Sequence, residues 1–111
     1  MAMHINDFGV KIEGYWKATN KSCKLPMPMP NQLLSEQAEN IYHLIKKLER
    51  SAYKVQYRGP SMSRIEKNVI VGSAEFSKDG WAWPAGFAEH YVLKHRVRPS
   101  DEFLQFIGYE Q

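Results

Sequence analysis

Cysteine and long apolar runs are what this 111-residue sequence has least of. It carries a single cysteine, Cys23, so no disulfide can form within the chain and stability must come from packing. Its apolar runs, such as Val69-Ile70-Val71, fall far short of the roughly 18 to 20 residues that a membrane-spanning helix needs. The first residues, Met1-Ala2-Met3-His4-Ile5-Asn6-Asp7, lack the basic and then apolar pattern of a secretory signal. These absences predict a soluble protein in a reducing, cytoplasmic setting. Signatures of common chemistries are missing too: no G-x-S-x-G elbow, no Walker loop, no H-E-x-x-H and no glycine-rich dinucleotide fingerprint. Neither sign of charge dominates, since 15 Lys and Arg face 12 Asp and Glu; a net +3 is too small to mark a nucleic-acid binder by itself.

What is present is enough for one domain, residues 1–111, because 43% of the chain is hydrophobic and can bury a core. Phe8, Val10 and Ile12 alternate with polar residues as in a half-buried strand. Residues 19–34 hold three prolines at alternate positions, Pro26, Pro28 and Pro30, which predicts an extended connector, either a ligand for a partner or a strap across the protein's own core. Ala38, Ile41, Leu44, Ile45, Leu48 and Ala52 recur at three and four residues, the stripe of an amphipathic helix that starts at Asn31 or Ser35 and ends near Ser51. His43 falls on its polar face. Tyr53 to Arg58 alternates strictly and stops at Gly59-Pro60, a strand with aromatics on one face and basic groups on the other. Further strand candidates are 69–71 and 74–76, and Lys78-Asp79-Gly80 is a turn leading into Trp81-Ala82-Trp83.

A second helix is expected from Pro84 to about His95, with Phe87, Tyr91 and either Ala88 or Val92 on its apolar face. Ser100, followed by Asp101 and Glu102, is an N-cap for a last short helix ending near Ile107. The predicted class is therefore α+β: a small antiparallel sheet or meander with two main helices and a short C-terminal one. Trp81 and Trp83, two residues apart, share one face of their strand and can cover the histidine helix.

His90 and His95 have the H-x4-H spacing found in zinc sites. On a regular α-helix a separation of five turns side chains about 140° apart, so both reach one point only if the helix end tightens or unwinds, and Arg96-Val97-Arg98-Pro99 is a place for that. Tyr57-Arg58-Gly59, Ser61, Arg64, Gly72-Ser73, Trp81, Trp83-Pro84, Gly86, His90-Tyr91-Val92, His95, Val97 and Pro99 together resemble a small family of short uncharacterised bacterial proteins. The resemblance covers residues 53–107 and implies a compact zinc-finger-like part whose helix supplies two histidines and whose knuckle reads Cys-Arg-x-Cys. It implies no activity. Here Ser63 and Glu66 stand where those cysteines would be. A serine hydroxyl is a poor zinc ligand beside a thiolate, so the expectation is a degenerate zinc finger with no cofactor, in which Ser63, Glu66, His90 and His95 are vestigial metal candidates and Ile65, Trp81, Trp83, Phe87 and Tyr91 hold the fold. Glu66 can still ligate, and Cys23 is a conceivable substitute.

Three functions compete. The first is a non-enzymatic module that binds a protein partner through a basic strand and helix edge: Lys54, Arg58, Arg64, Lys67, Lys94, Arg96 and Arg98. The second uses the same side chains for nucleic acid, with Tyr53 or Tyr57 for stacking. The third is an enzyme with His90 or His95 as general base and Glu66 or Glu89 as its carboxylate partner. The first is the expected one.

Overall fold

A computed structural model of the chain describes residues 4–5, 9–15 and 28–110, the side chains at 4 and 57–60 excepted. The predicted Phe8, Cys23 and most of the proline-rich connector lie outside the described residues. The class is α+β: a five-stranded sheet carries helices on one face. The strands are β1 (His4–Ile5), β2 (Lys11–Ile12), β3 (Tyr53–Met62), β4 (Ile70–Lys78) and β5 (Trp81–Pro84), and they lie side by side in the order β1-β2-β5-β4-β3. The meander β3-β4-β5 is antiparallel, as expected. β2 adds itself parallel to β5, through Lys11 N–H to the Gly80 carbonyl at 2.9 Å and Glu13 N–H to that of Ala82 at 3.0 Å.

Asp79 and Gly80 turn β4 into β5 with positive φ at both residues, the geometry that a two-residue hairpin loop requires. Strand β3 runs further than its alternation predicts. Gly59-Pro60 does not end it; the chain passes through with a register shift between Gln56 and Ser61 and pairs again as far as Met62. The two short candidates at 69–71 and 74–76 are likewise one strand, β4, because Gly72 and Ser73 continue the ladder.

Helix α1 (Ser35–Glu49) buries Ala38, Ile41 and Ile45, the centre of the predicted stripe. Its N-cap is Leu34, neither Asn31 nor Ser35; the Gln37 side chain accepts the Leu34 N–H at 2.9 Å and does the capping work from inside the first turn. Asn31 has a different task. Its left-handed backbone turns the end of the connector so that the Asn31 N–H meets the His95 carbonyl at 2.8 Å, while those of Gln32 and Leu33 meet the Arg96 carbonyl at 2.9 and 3.1 Å. The last residues of the connector are thus a turn strapped onto the end of the histidine helix, with Pro28 and Leu33 buried beneath.

That helix does not start at Pro84. Pro84 is the last residue of β5, opposite Glu75, and the Ala85 N–H still bonds the Ala74 carbonyl, so the ladder carries the chain past the proline. Gly86 then turns the chain with φ +89°, and a Cβ there would stand 2.3 Å from the Val71 carbonyl oxygen, so only glycine fits. The helix occupies Phe87–Lys94 and is of π type. A final helix, α2 (Asp101–Ile107), begins at the predicted Ser100, whose Oγ accepts the Phe103 N–H and donates to Glu13.

The core lies between the sheet and the three helices. Trp83, Phe87 and Phe103 are fully buried at its centre, with Trp81 stacked on Phe106 at 5.3 to 5.5 Å from its aromatic neighbours. The Trp83 indole N–H donates to Glu49 Oε2 at 3.0 Å, so the polar end of the ring is satisfied inside the core. Among the described residues no helix is long and apolar enough to cross a membrane.

Candidate functional site

The four residues singled out by spacing meet at one place. Ser63 opens the loop between β3 and β4, pinned by its own N–H to the Val69 carbonyl at 2.8 Å, and Glu66 follows one turn later. His90 and His95 come from the facing helix. Their convergence depends on the π form: each turn takes one residue more than an α-turn, so residues five apart, rather than four, are neighbours along the helix. The His95 N–H accordingly bonds the His90 carbonyl at 3.2 Å, and the two imidazole rings lie 4.8 Å apart. The helix therefore widens along its whole length to align the histidines, and does not tighten or unwind at 96–99 as the α-helical reasoning required. Arg96, with positive φ, simply ends it.

Ser63 Oγ accepts the N–H groups of Ile65 and Glu66 at 3.0 and 2.9 Å and lies 2.7 Å from His90 Nε2. A hydroxyl has two acceptor sites and one proton. Two of these contacts serve backbone amides and the hydroxyl also meets Tyr91; with Nδ1 of His90 facing the Glu66 carboxylate, a neutral ring that keeps its proton there accepts at Nε2 from Ser63. Neutral His90 then carries its proton on Nδ1, which faces Glu66 Oε2 at 3.6 Å. Burial lowers the pKa of His90, the nearby His95 lowers it further, and Glu66 only partly opposes this.

Glu66 is the electrostatic centre of the group. Its Oε2 lies 2.9 Å from His95 Nε2 and 2.9 Å from Lys94 Nζ. The hydrogen bond from His95, followed by that from Lys94, pulls its pKa down to about 2, so the carboxylate only accepts and His95 Nε2 must donate. Tyr91, between the two histidines in sequence, completes the arrangement: its hydroxyl accepts the Arg64 N–H at 2.9 Å, and burial raises its pKa. The amide-accepting roles of Tyr91 and Ser63 are not visible in a motif search; the signal for the π-helix was the H-x4-H spacing itself.

Glu66, His90 and His95 offer ligand atoms all within 4.8 Å of one another, the group best placed among the described residues to hold a metal ion. The contacts around them are those of hydrogen bonds. Two ligands at about 2.0 to 2.1 Å from a tetrahedral ion sit roughly 3.4 Å apart. Ser63 to His90 and Glu66 to His95, at 2.7 and 2.9 Å, are both closer than that. An ion would have to break both bonds and recruit a hydroxyl already saturated by two amides, so this arrangement does not fit a four-ligand zinc site.

Of the seven cations chosen for partner contact, the six with described side chains divide into two groups. Lys94 pairs with Glu66, Arg98 pairs with Asp101 at 2.7 Å, and Arg96 approaches Asn31 Oδ1 at 3.5 Å. Lys54, Arg64 and Lys67 are exposed, and among the described residues no carboxylate lies within ion-pair distance of them. The Arg58 and Tyr57 side chains lie outside the described residues. Of the suggested catalytic partners, Glu89 is exposed and pairs with Lys46 at 2.8 Å, pointing away from both histidines toward α1. His43 is on the exposed face of α1, as predicted. Comparison with known protein families, with curated proteins and with solved structures finds no match to this chain.

Proposed function

We propose that this chain is a non-enzymatic protein-binding module, built on a zinc-finger-like scaffold in which hydrogen bonds have taken the place of a metal. The observation that carries the binding role is the state of β3. It is the last strand of the sheet, ten residues long, and Tyr53 and Val55 on it are 73% and 48% exposed. Its outer backbone edge has no neighbouring strand among the described residues. Such an edge is a ready template for another chain.

The cluster supports the scaffold half of the reading. Ser63 has the hydroxyl-imidazole-carboxylate neighbours of a nucleophile, but both its acceptor sites are held by amides, so attack on a substrate would first break the loop. His90 is buried and its Nε2 is engaged, which leaves no lone pair for a substrate proton. The bonds join loop 63–69 to the helix, as a metal would. Nucleic acid is the weaker reading because three of the seven cations already have partners within the chain.

A photo-crosslinking residue at position 53, in cells that naturally make the protein, tests the reading. A discrete adduct with one protein is expected, and it should vanish when the crosslinker is moved to position 102, exposed on α2 and outside the hollow beside β3. An adduct with nucleic acid, or none from position 53, would defeat it.

A further inference from the structure

The edge strand also specifies the chemistry of what it takes. Along β3 the two faces differ. Tyr53 and Val55 stand opposite Ser77 and Glu75 of β4, and the Glu75 carboxylate is already bonded by the Tyr15 hydroxyl. Lys54, opposite Phe76, is on the other face, with its amine 5.7 Å from the Phe76 ring. Beside it on that face is a hollow of about 400 Å³ lined by Tyr42, His43, Lys46, Glu49, Arg50 and Phe76. Lys46 there is paired with Glu49 and Glu89, whereas no carboxylate is within ion-pair distance of Arg50 or Lys54 among the described residues. The rim of the strand is thus apolar on one face and carries unneutralised positive charge on the other, continued at its far end by Arg64 and Lys67.

We propose that β3 accepts, as a sixth strand, an extended segment of a partner protein whose side chains alternate apolar and acidic. This rests on the reading of the chain as a protein-binding module. Side chains of a guest strand alternate between faces, so apolar residues would lie against Tyr53 and Val55 while acidic ones meet Lys54 and Arg50. Opposite charges across a strand pair stabilise it and like charges oppose it. A second copy of β3 is therefore a poor guest, because face-matched pairing sets Lys54 of each copy on the same face. A lysine on an open edge guards against indiscriminate pairing, and the same charge selects an acidic guest.

The test is a titration of the ¹⁵N-labelled full chain with a short peptide of alternating valine and glutamate. Two controls accompany it: the same residues sorted into a valine block and a glutamate block, and an alternating valine-lysine peptide. Amide shifts centred on residues 53–56 are expected, with affinity about tenfold above either control and a loss of about tenfold in Lys54→Glu. Equal binding of the block peptide, shifts centred elsewhere, or no binding of the alternating acidic peptide overturns the proposal. If the acidic peptide fails while position 53 still crosslinks to a protein, the partner's chemistry is wrong and the binding module stands. If both fail, both readings fall.

Discussion

Strands β5 and β3 belong to one sheet and come from similar sequence, yet they meet opposite fates. Trp81-Ala82-Trp83-Pro84 is buried at every residue, while Tyr53, Lys54, Val55 and Gln56 are all exposed. Both stretches place aromatic or branched side chains at alternate positions. Alternation therefore says which residues share a face, and neighbours decide whether that face is covered. β5 lies between β2 and β4 with α1, α2 and the π-helix over its tryptophans. Among the described residues β3 has a strand on one side only.

Breaking the buried end should have the largest effect. Trp83→Ala removes a fully buried ring and leaves the Glu49 carboxylate without its indole donor, and the expected loss is about 3–5 kcal/mol by urea denaturation. A loss below about 1 kcal/mol would mean that the aromatic layer is not what holds the sheet to its helices.

The polar cluster comes next, since it does for the loop 63–69 what the tryptophans do for β5. Ser63→Ala strips two amides and His90 Nε2 of a partner, and about 1–3 kcal/mol should be lost, toward the lower end because the site is partly open to water. The informative companion is the double variant Ser63→Cys with Glu66→Cys. It supplies two thiolates beside two imidazoles, and it should bind stoichiometric zinc when purified without an affinity tag. Zinc in the unaltered protein, prepared the same way, would refute the metal-free reading.

Acid should loosen the same cluster by a smaller and graded amount. Glu66 has its pKa lowered from 4.5 to about 2, so the unfolded chain takes up that proton first as the pH falls. Its stabilisation is complete above about 4.5 and is lost between there and about 2. His90, also shifted down, acts with the same sign below its ordinary 6.5, whereas Glu13, raised mainly by burial, acts with the opposite sign. Urea midpoints across this range, compared with those of Glu66→Gln, isolate one group from the others: the variant should show a smaller step below 4.5, what remains coming from groups such as Asp101, which Arg98 also shifts down. Parallel profiles would remove Glu66 from the account.

Much of this was legible in the sequence. The stripe of α1, the Asp79-Gly80 turn, the shared face of Trp81 and Trp83 and the Ser100 cap each follow from local chemistry, and each is where it was expected. The structure also brings Ser63, Glu66, His90 and His95 together in space. What failed depended on contacts distant in sequence. Pro84 reads as a helix start until β4 is seen beside it, and Gly86, not the proline, sets the helix entrance because Val71 occupies the space a Cβ would need. The π form has no local signal beyond the H-x4-H spacing, and the connector that bonds the His95 and Arg96 carbonyls at its end comes from more than sixty residues away. The N-cap of α1 was misjudged for the same reason, since Asn31 reads as a cap but is used to tie that connector down.

The smallest expected stability effect is at the exposed end of the comparison, where it is the most useful. Tyr53→Ala should change stability by no more than about 0.5 kcal/mol, because the ring is 73% exposed and buries little when the chain folds. Set beside Trp83→Ala, it asks whether a large aromatic on this sheet is there for the fold at all. A loss of 2 kcal/mol or so would mean that something covers Tyr53 in the isolated protein, and the edge would then not be open to a partner. An unchanged urea midpoint together with weakened binding of the alternating acidic peptide would instead separate the two roles: β5 spends its aromatics on the core, and β3 keeps one in water because its second neighbour belongs to another molecule.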